Sequence, residues 1–117
     1  SVLQYVFVEG NFFSFLDKSL ELLSPGGQIL LGDIPNISKR KRFFHSNSGR
    51  NFHRVFTGKD EELEISYNKI EKGQIDDSII MSIILRARQQ GFDAYIMPQH
   101  RTLPMENRRE DILIIRP

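Results

Sequence analysis

The run Leu20-Glu21-Leu22-Leu23-Ser24-Pro25-Gly26-Gly27-Gln28-Ile29-Leu30-Leu31 passes from one kind of secondary structure to another within twelve residues. Before it, Phe12, Leu16, Leu20 and Leu23 recur at helical spacing, with Asp17, Lys18 and Glu21 between them and Asn11 placed as an N-cap. That spacing predicts a helix from about Phe12 to Leu23. Ser24 to Gly27 stop it, because proline disfavours helix in the residue before it and the glycines permit positive φ. Gln28 then opens Ile29, Leu30, Leu31, Gly32, Asp33 and Ile34, too short for a helix and apolar without alternation over its first half. Such a pattern predicts a strand covered on both faces, ended by Pro35 and Asn36.

Working outward, the segment of about 37–74 is the least regular and reads as an insert. Lys39, Arg40, Lys41 and Arg42 stand near its start, and Asp60, Glu61, Glu62 and Glu64 follow later, so its charges segregate by sign. A helix capped by Ser38 is expected over Ser38 to Ser46, and Leu63, Ile65 and Tyr67 alternate with polar residues in the manner of a short strand. From Asp76 or Asp77 a further helix is expected, its stripe being Ile80, Ile83, Ile84 and Ala87, ending at Gln90 with Gly91 at C′. Strands are expected from Phe92 to Met97 and from Ile112 to Ile115. With no helix between them, they should be antiparallel. The fold class is therefore α/β with a terminal antiparallel strand pair.

The chain has 117 residues, 39% hydrophobic and 26% charged, which fits one ordinary globular domain. Sixteen basic and fifteen acidic residues leave +1, so nucleic acid is not an expected partner for the chain as a whole. The absence of cysteine removes disulfides, thiolate nucleophiles and sulfur-ligated metals, and suits a reducing, cytoplasmic setting. No secretory signal and no apolar run of about 18 residues is present, so no membrane association is expected. Ser1 is followed at once by Val2, Leu3, Gln4 and Tyr5 without a polar lead-in, as a cut through a larger fold would be.

The familiar chemical signatures are missing: no P-loop, no dinucleotide Gly-x-Gly-x-x-Gly, no Gly-x-Ser-x-Gly and no His-Glu-x-x-His. His45, His53 and His100 lack metal-site spacing, and no metal is expected. The basic run from Lys39, with Phe43, Phe44, Arg50, His53 and Arg54, reads as a solvated face or as a local site for phosphate or a single strand. Asp33 lies at the C-terminal end of a strand, where open α/β sheets bind ligands, or else caps the turn before Pro35. His45 and His53 are the insert's only candidates for a general base near neutral pH. Gln99, His100, Arg101, Arg108 and Arg109 read as solvated residues of a long hairpin loop.

The Leu20 to Leu31 run resembles the helix, Pro-Gly-Gly turn and fifth strand of class I S-adenosylmethionine-dependent methyltransferases. Val2 to Val6 is similar to the segment after that fold's fourth strand. The helix from Asp76 with Gly91, Phe92 and Asp93 resembles the last helix and sixth strand, and Asp111 to Arg116 the antiparallel seventh. The resemblance covers residues 1–117 as a single partial domain, the C-terminal half of a Rossmann-like methyltransferase sheet. The family's glycine-rich first turn and its ribose-binding acid have no counterpart. The resemblance thus implies S-adenosylmethionine as cofactor, a missing N-terminal half that carries most of its binding, and a fragment inactive by itself. It implies a small-molecule acceptor held by Gln4, Tyr5, Asp33, Arg42, His45 and His53, and an exposed strand edge at Ile29 to Leu31 open to homodimer formation. The alternative is a stand-alone anion- or nucleic-acid-binding module using 39–54.

Overall fold

The computed structural model describes residues 11–58 and 73–117. Four helices and three strands form in them: α1 (Phe12–Glu21), β1 (Gln28–Pro35), α2 (Ile37–His45), α3 (Asn47–Thr57), α4 (Asp77–Gln89), β2 (Asp93–Pro98) and β3 (Arg109–Ile115). The α/β class and the antiparallel terminal strands are as the sequence predicts. The expected strand at Leu63 to Tyr67, and Val2 to Val6 with Gln4 and Tyr5, lie outside the described residues.

Asn11 caps α1 by accepting from the Ser14 amide at 3.0 Å, and Phe12, Leu16 and Leu20 are buried along one stripe. The helix stops at Glu21, two residues before the sequence expectation. The turn that follows needs Gly26 at φ +78, and both glycines tie it to the far end of β3: Gly26 N donates to Arg116 O, and Arg116 N to Gly27 O. The sequence-distant partner explains why this turn leads directly into a sheet.

The last strand in the chain occupies the middle of the sheet, giving the order β1-β3-β2 with both neighbours antiparallel to β3. Ile29, Ile114 and Ala94 lie side by side, as do Leu31, Ile112 and Ile96, on the face that meets α1 and α4. Leu16, Leu20, Ile80, Ile83, Ile112 and Ile114 are essentially inaccessible there. Bidentate Arg86 of α4 joins Asp17 of α1 at 2.9 and 2.7 Å, and Gln90 adds a bond to the same carboxylate.

The expectation of a strand covered on both faces is not met among the described residues. Leu30 is 62% exposed, in a row with Leu113 and Tyr95 on the side away from the helices. Two helices on one face bury only alternate residues of an otherwise apolar strand. No strand among the described residues pairs with the other edge of β1.

The segment after β1 is more helical than its sequence indicates. Asn36, not Ser38, caps α2, its Oδ1 accepting from the Ser38 and Lys39 amides. Ser46 ends α2 and caps α3, accepting from Gly49 N. A Cβ on Gly49 would fall 1.8 Å from Phe43 O, so only glycine lets α3 fold back against α2. A polar, glycine-containing run such as Asn47 to Gly49 carries little helix propensity, which is why tertiary contact decides it.

Candidate functional site

At the C-terminal ends of β1 and β2 the sheet opens into a cleft of about 420 Å³. β1 is irregular there, its register with β3 shifting between Leu31 and Ile34, and Asp33 adopts φ +60. Among the described residues it is the sole non-glycine with positive φ. Aspartate tolerates this region better than most residues, though the left-handed conformation still carries a steric cost.

Three side chains hold that conformation. Asp111 Oδ1 accepts from Asp33 N at 2.8 Å, Arg109 Nη1 donates to Asp33 Oδ2 at 2.6 Å, and Gln99 Nε2 donates to Asp33 Oδ1 at 3.2 Å. Gln99 also donates to Asp111 Oδ1 at 3.1 Å, so one buried amide joins two carboxylates that lie 78 residues apart in sequence. Leu103, Pro104 and Met105 supply an apolar wall. Arg109 Nε is buried with no hydrogen-bond partner, while Lys39 Nζ donates to the Arg109 carbonyl at 2.9 Å. The arrangement presents a half-exposed carboxylate, a guanidinium and an apolar wall to one small volume. Those groups suit a polar small molecule bearing hydroxyl or amine donors.

A second cleft of about 430 Å³ lies beside Leu20, Gln90, Phe92 and Arg116. Its guanidinium is committed, Arg116 Nη1 donating to Leu23 O and the group lying 5.9 Å from the Phe92 ring centre. The cleft at Asp33 is the stronger candidate because its polar groups converge on one small volume.

Of the residues singled out from sequence, Asp33 lines this cleft and Arg42, His45 and His53 do not. Arg42 is paired with Asp77 at 2.5 Å, joining α2 to the start of α4. Burial pushes the Asp77 carboxyl up, but the bonds from Arg42 and Asn36 outweigh it and hold its pKa below the usual carboxylate value. His53 lies on α3 with its ring edge-on to Phe44, 6.3 Å between centres, and His45 is exposed at the end of α2. The basic run is dispersed around α2: Lys39 turns to β3, Arg42 to α4, and Arg40 lies over Phe44. Gln4 and Tyr5 lie outside the described residues.

Sequence reading took Gln99 and Arg109 for solvated loop residues and did not single out Asp111. Their one signal is position, at the two ends of the hairpin that joins β2 to β3, and it becomes informative only once β3 is known to lie beside β1.

Among the described residues no cluster of His, Asp or Glu could hold a metal ion, and no helix is long and apolar enough to cross a membrane. Nor do the residues at the cleft make a site for S-adenosylmethionine. Among the described residues that line it there is no aromatic ring on which an adenine could stack. Gly32 would admit a Cβ at an ordinary 3.8 Å from Asp111, so no close backbone cradle is built there. Comparison with family models, with curated proteins and with solved structures returns no match.

Proposed function

We propose that this chain is the acceptor-binding half of a class I S-adenosylmethionine-dependent methyltransferase that acts on a small molecule. The observation that carries the reading is the strand order, with the chain's last strand antiparallel between β1 and β2, following a helix, a Pro-Gly-Gly turn and β1. The resemblance implies these three strands as the family's fifth, sixth and antiparallel seventh. The edge of β1 left without a strand among the described residues is where the rest of such a sheet would join, and the uncovered face at Leu30 and Tyr95 would acquire its covering there.

On this reading the cofactor is held by residues other than those described, and the part played by this chain is orientation. Methyl transfer is an in-line displacement, so alignment of the acceptor supplies much of the rate. Asp33 offers a carboxylate that Arg109 and Gln99 fix in place, able to accept from an acceptor hydroxyl or amine, while Leu103 and Met105 shed water from its carbon skeleton.

The test is transfer of labelled methyl from S-adenosylmethionine by the chain extended through the residues encoded ahead of Ser1, supplied with a cell metabolite extract. Label is expected in the small-molecule fraction and should fall at least tenfold in Asp33→Ala. Label confined to protein or nucleic acid would overturn the acceptor class, and no transfer to any fraction would overturn the methyltransferase reading.

A further inference from the structure

On the other side of Pro35 from the Asp33 cleft, Arg40 of α2 and Arg108, which directly precedes β3, lie over one buried ring. Their guanidinium carbons are 5.0 and 5.5 Å from the Phe44 centre, and Phe44 is 7% exposed. Both charges rest on one aromatic ring and line one cleft, and Arg108 feels the charge of Arg40. Neither has a carboxylate partner among the described residues. The carboxylates nearby are committed: Glu110 accepts from Asn36, Asp77 from Arg42 and Asn36, and Asp33 from Arg109. Burial, then the neighbouring charges of Arg40 and Arg109, push the Arg108 pKa down. A pair with no carboxylate partner among the described residues is an electrostatic debit within them.

Both arginines line a cleft of about 90 Å³, closed by Pro35, Asn36 and Ile37 and with Gln74 at its rim. The volume is that of about three waters, too small for a ring system and adequate for one tetrahedral oxyanion. The first amides of α2 contribute nothing to it, since Ile37 N donates to Ile75 O and the next two to Asn36. The donors on offer are the Arg40 guanidinium and the Arg108 Nη groups, Arg108 Nε donating to Asn107 Oδ1 at 3.2 Å, and paired guanidinium N–H groups match phosphate oxygens.

We propose that Arg40 and Arg108 form a two-guanidinium clamp for a single phosphate monoester group, carried by a small molecule whose remainder lies outside the cleft. A monoester is favoured over the phosphodiesters of a nucleic acid because the cleft admits one group and Lys39 and Arg42 of the basic run are directed elsewhere. Its dianion also offsets both charges, where a diester would offset one. The proposal stands independently of the methyltransferase reading.

The test is titration of the full chain with inorganic phosphate, followed by amide chemical shifts, in the wild type and in Arg40→Gln, Arg108→Gln and Arg50→Gln. Saturable one-to-one binding is expected, weakened at least tenfold by each of the first two substitutions and unchanged by Arg50→Gln on α3. If either Gln variant fails to fold, Arg40→Lys and Arg108→Lys keep the charge, and each is expected to lose part of the affinity. Shifts that never saturate, equal loss in Arg50→Gln, or unchanged affinity in both Lys variants would overturn the clamp. So would tighter binding of a single-stranded oligonucleotide than of inorganic phosphate.

Discussion

Replacing Asp33 by alanine and by glycine should reverse the usual order of those two residues in a strand. At an ordinary extended position, glycine is less stable than alanine by about 0.5–1 kcal/mol, through the backbone entropy it loses on folding. At φ +60 a Cβ carries a steric cost of about 1–2 kcal/mol that glycine does not. The difference leaves Asp33→Gly the more stable variant by about 0.5–1 kcal/mol. Both variants lose the Arg109 ion pair, whose side chains are 23% and 53% exposed, and which for that reason is worth only about 0.5 kcal/mol. Both also lose the Gln99 bond, worth about 1 kcal/mol. Relative to wild type, whose own Cβ bears the same steric cost, Asp33→Ala should therefore fall by about 1.5 kcal/mol and Asp33→Gly by about 0.5–1 kcal/mol. Asp33→Asn tolerates the same backbone and retains the amide-accepting oxygen, so it should lose only about 0.5 kcal/mol. Urea unfolding of the three variants at a common m-value measures the series. Alanine equal to or more stable than glycine would refute the left-handed backbone at Asp33, and with it the bulge that shapes the cleft.

The remaining predictions concern the core, the insert and acid stability. Ile112→Ala, at a fully buried site, should lose about 3 kcal/mol in urea unfolding, whereas Leu30→Ala on the uncovered face should lose under about 1 kcal/mol. Gly49→Ala drives a methyl into Phe43 O and should cost about 1–3 kcal/mol, read as a lower unfolding temperature with loss of helical signal from α3. Asp17 is held at a pKa of about 2 against an ordinary 3.8, chiefly by the Arg86 bond and then by Gln90. A depressed carboxylate contributes stability that is whole above the unfolded value and is lost as pH falls through the folded one, so this contribution should fade between about pH 4 and pH 2. Asp17→Asn should flatten the stability profile in that window, as acid titrations of unfolding free energy would detect.

The α1 to β1 passage was legible because its signals are local: a 3.6-residue stripe, a capping asparagine and a Pro-Gly-Gly turn all act within one short segment. The helix from Asp77 was legible for the same reason, Asp76 capping it and Gly91 following it. The order of strands was not readable, since an apolar run at Ile112 to Ile115 fits an edge or a centre equally well. The second helix of the insert was hidden because Gly49 is a poor helix former whose value lies in a contact with Phe43. The cleft was only half legible. Asp33 stood out by its place at a strand end, while Gln99, Arg109 and Asp111 acquire meaning through a pairing that spans more than seventy residues.

The central claim is that this chain contributes the acceptor side of a methyltransferase and leaves the cofactor to other residues. Calorimetric titration with S-adenosylmethionine addresses it directly, comparing residues 1–117 with the same chain extended through the residues encoded ahead of Ser1. The account predicts no saturable binding to the first and stoichiometric binding to the second. Tight binding by residues 1–117 alone, or none by the extended chain, would contradict it.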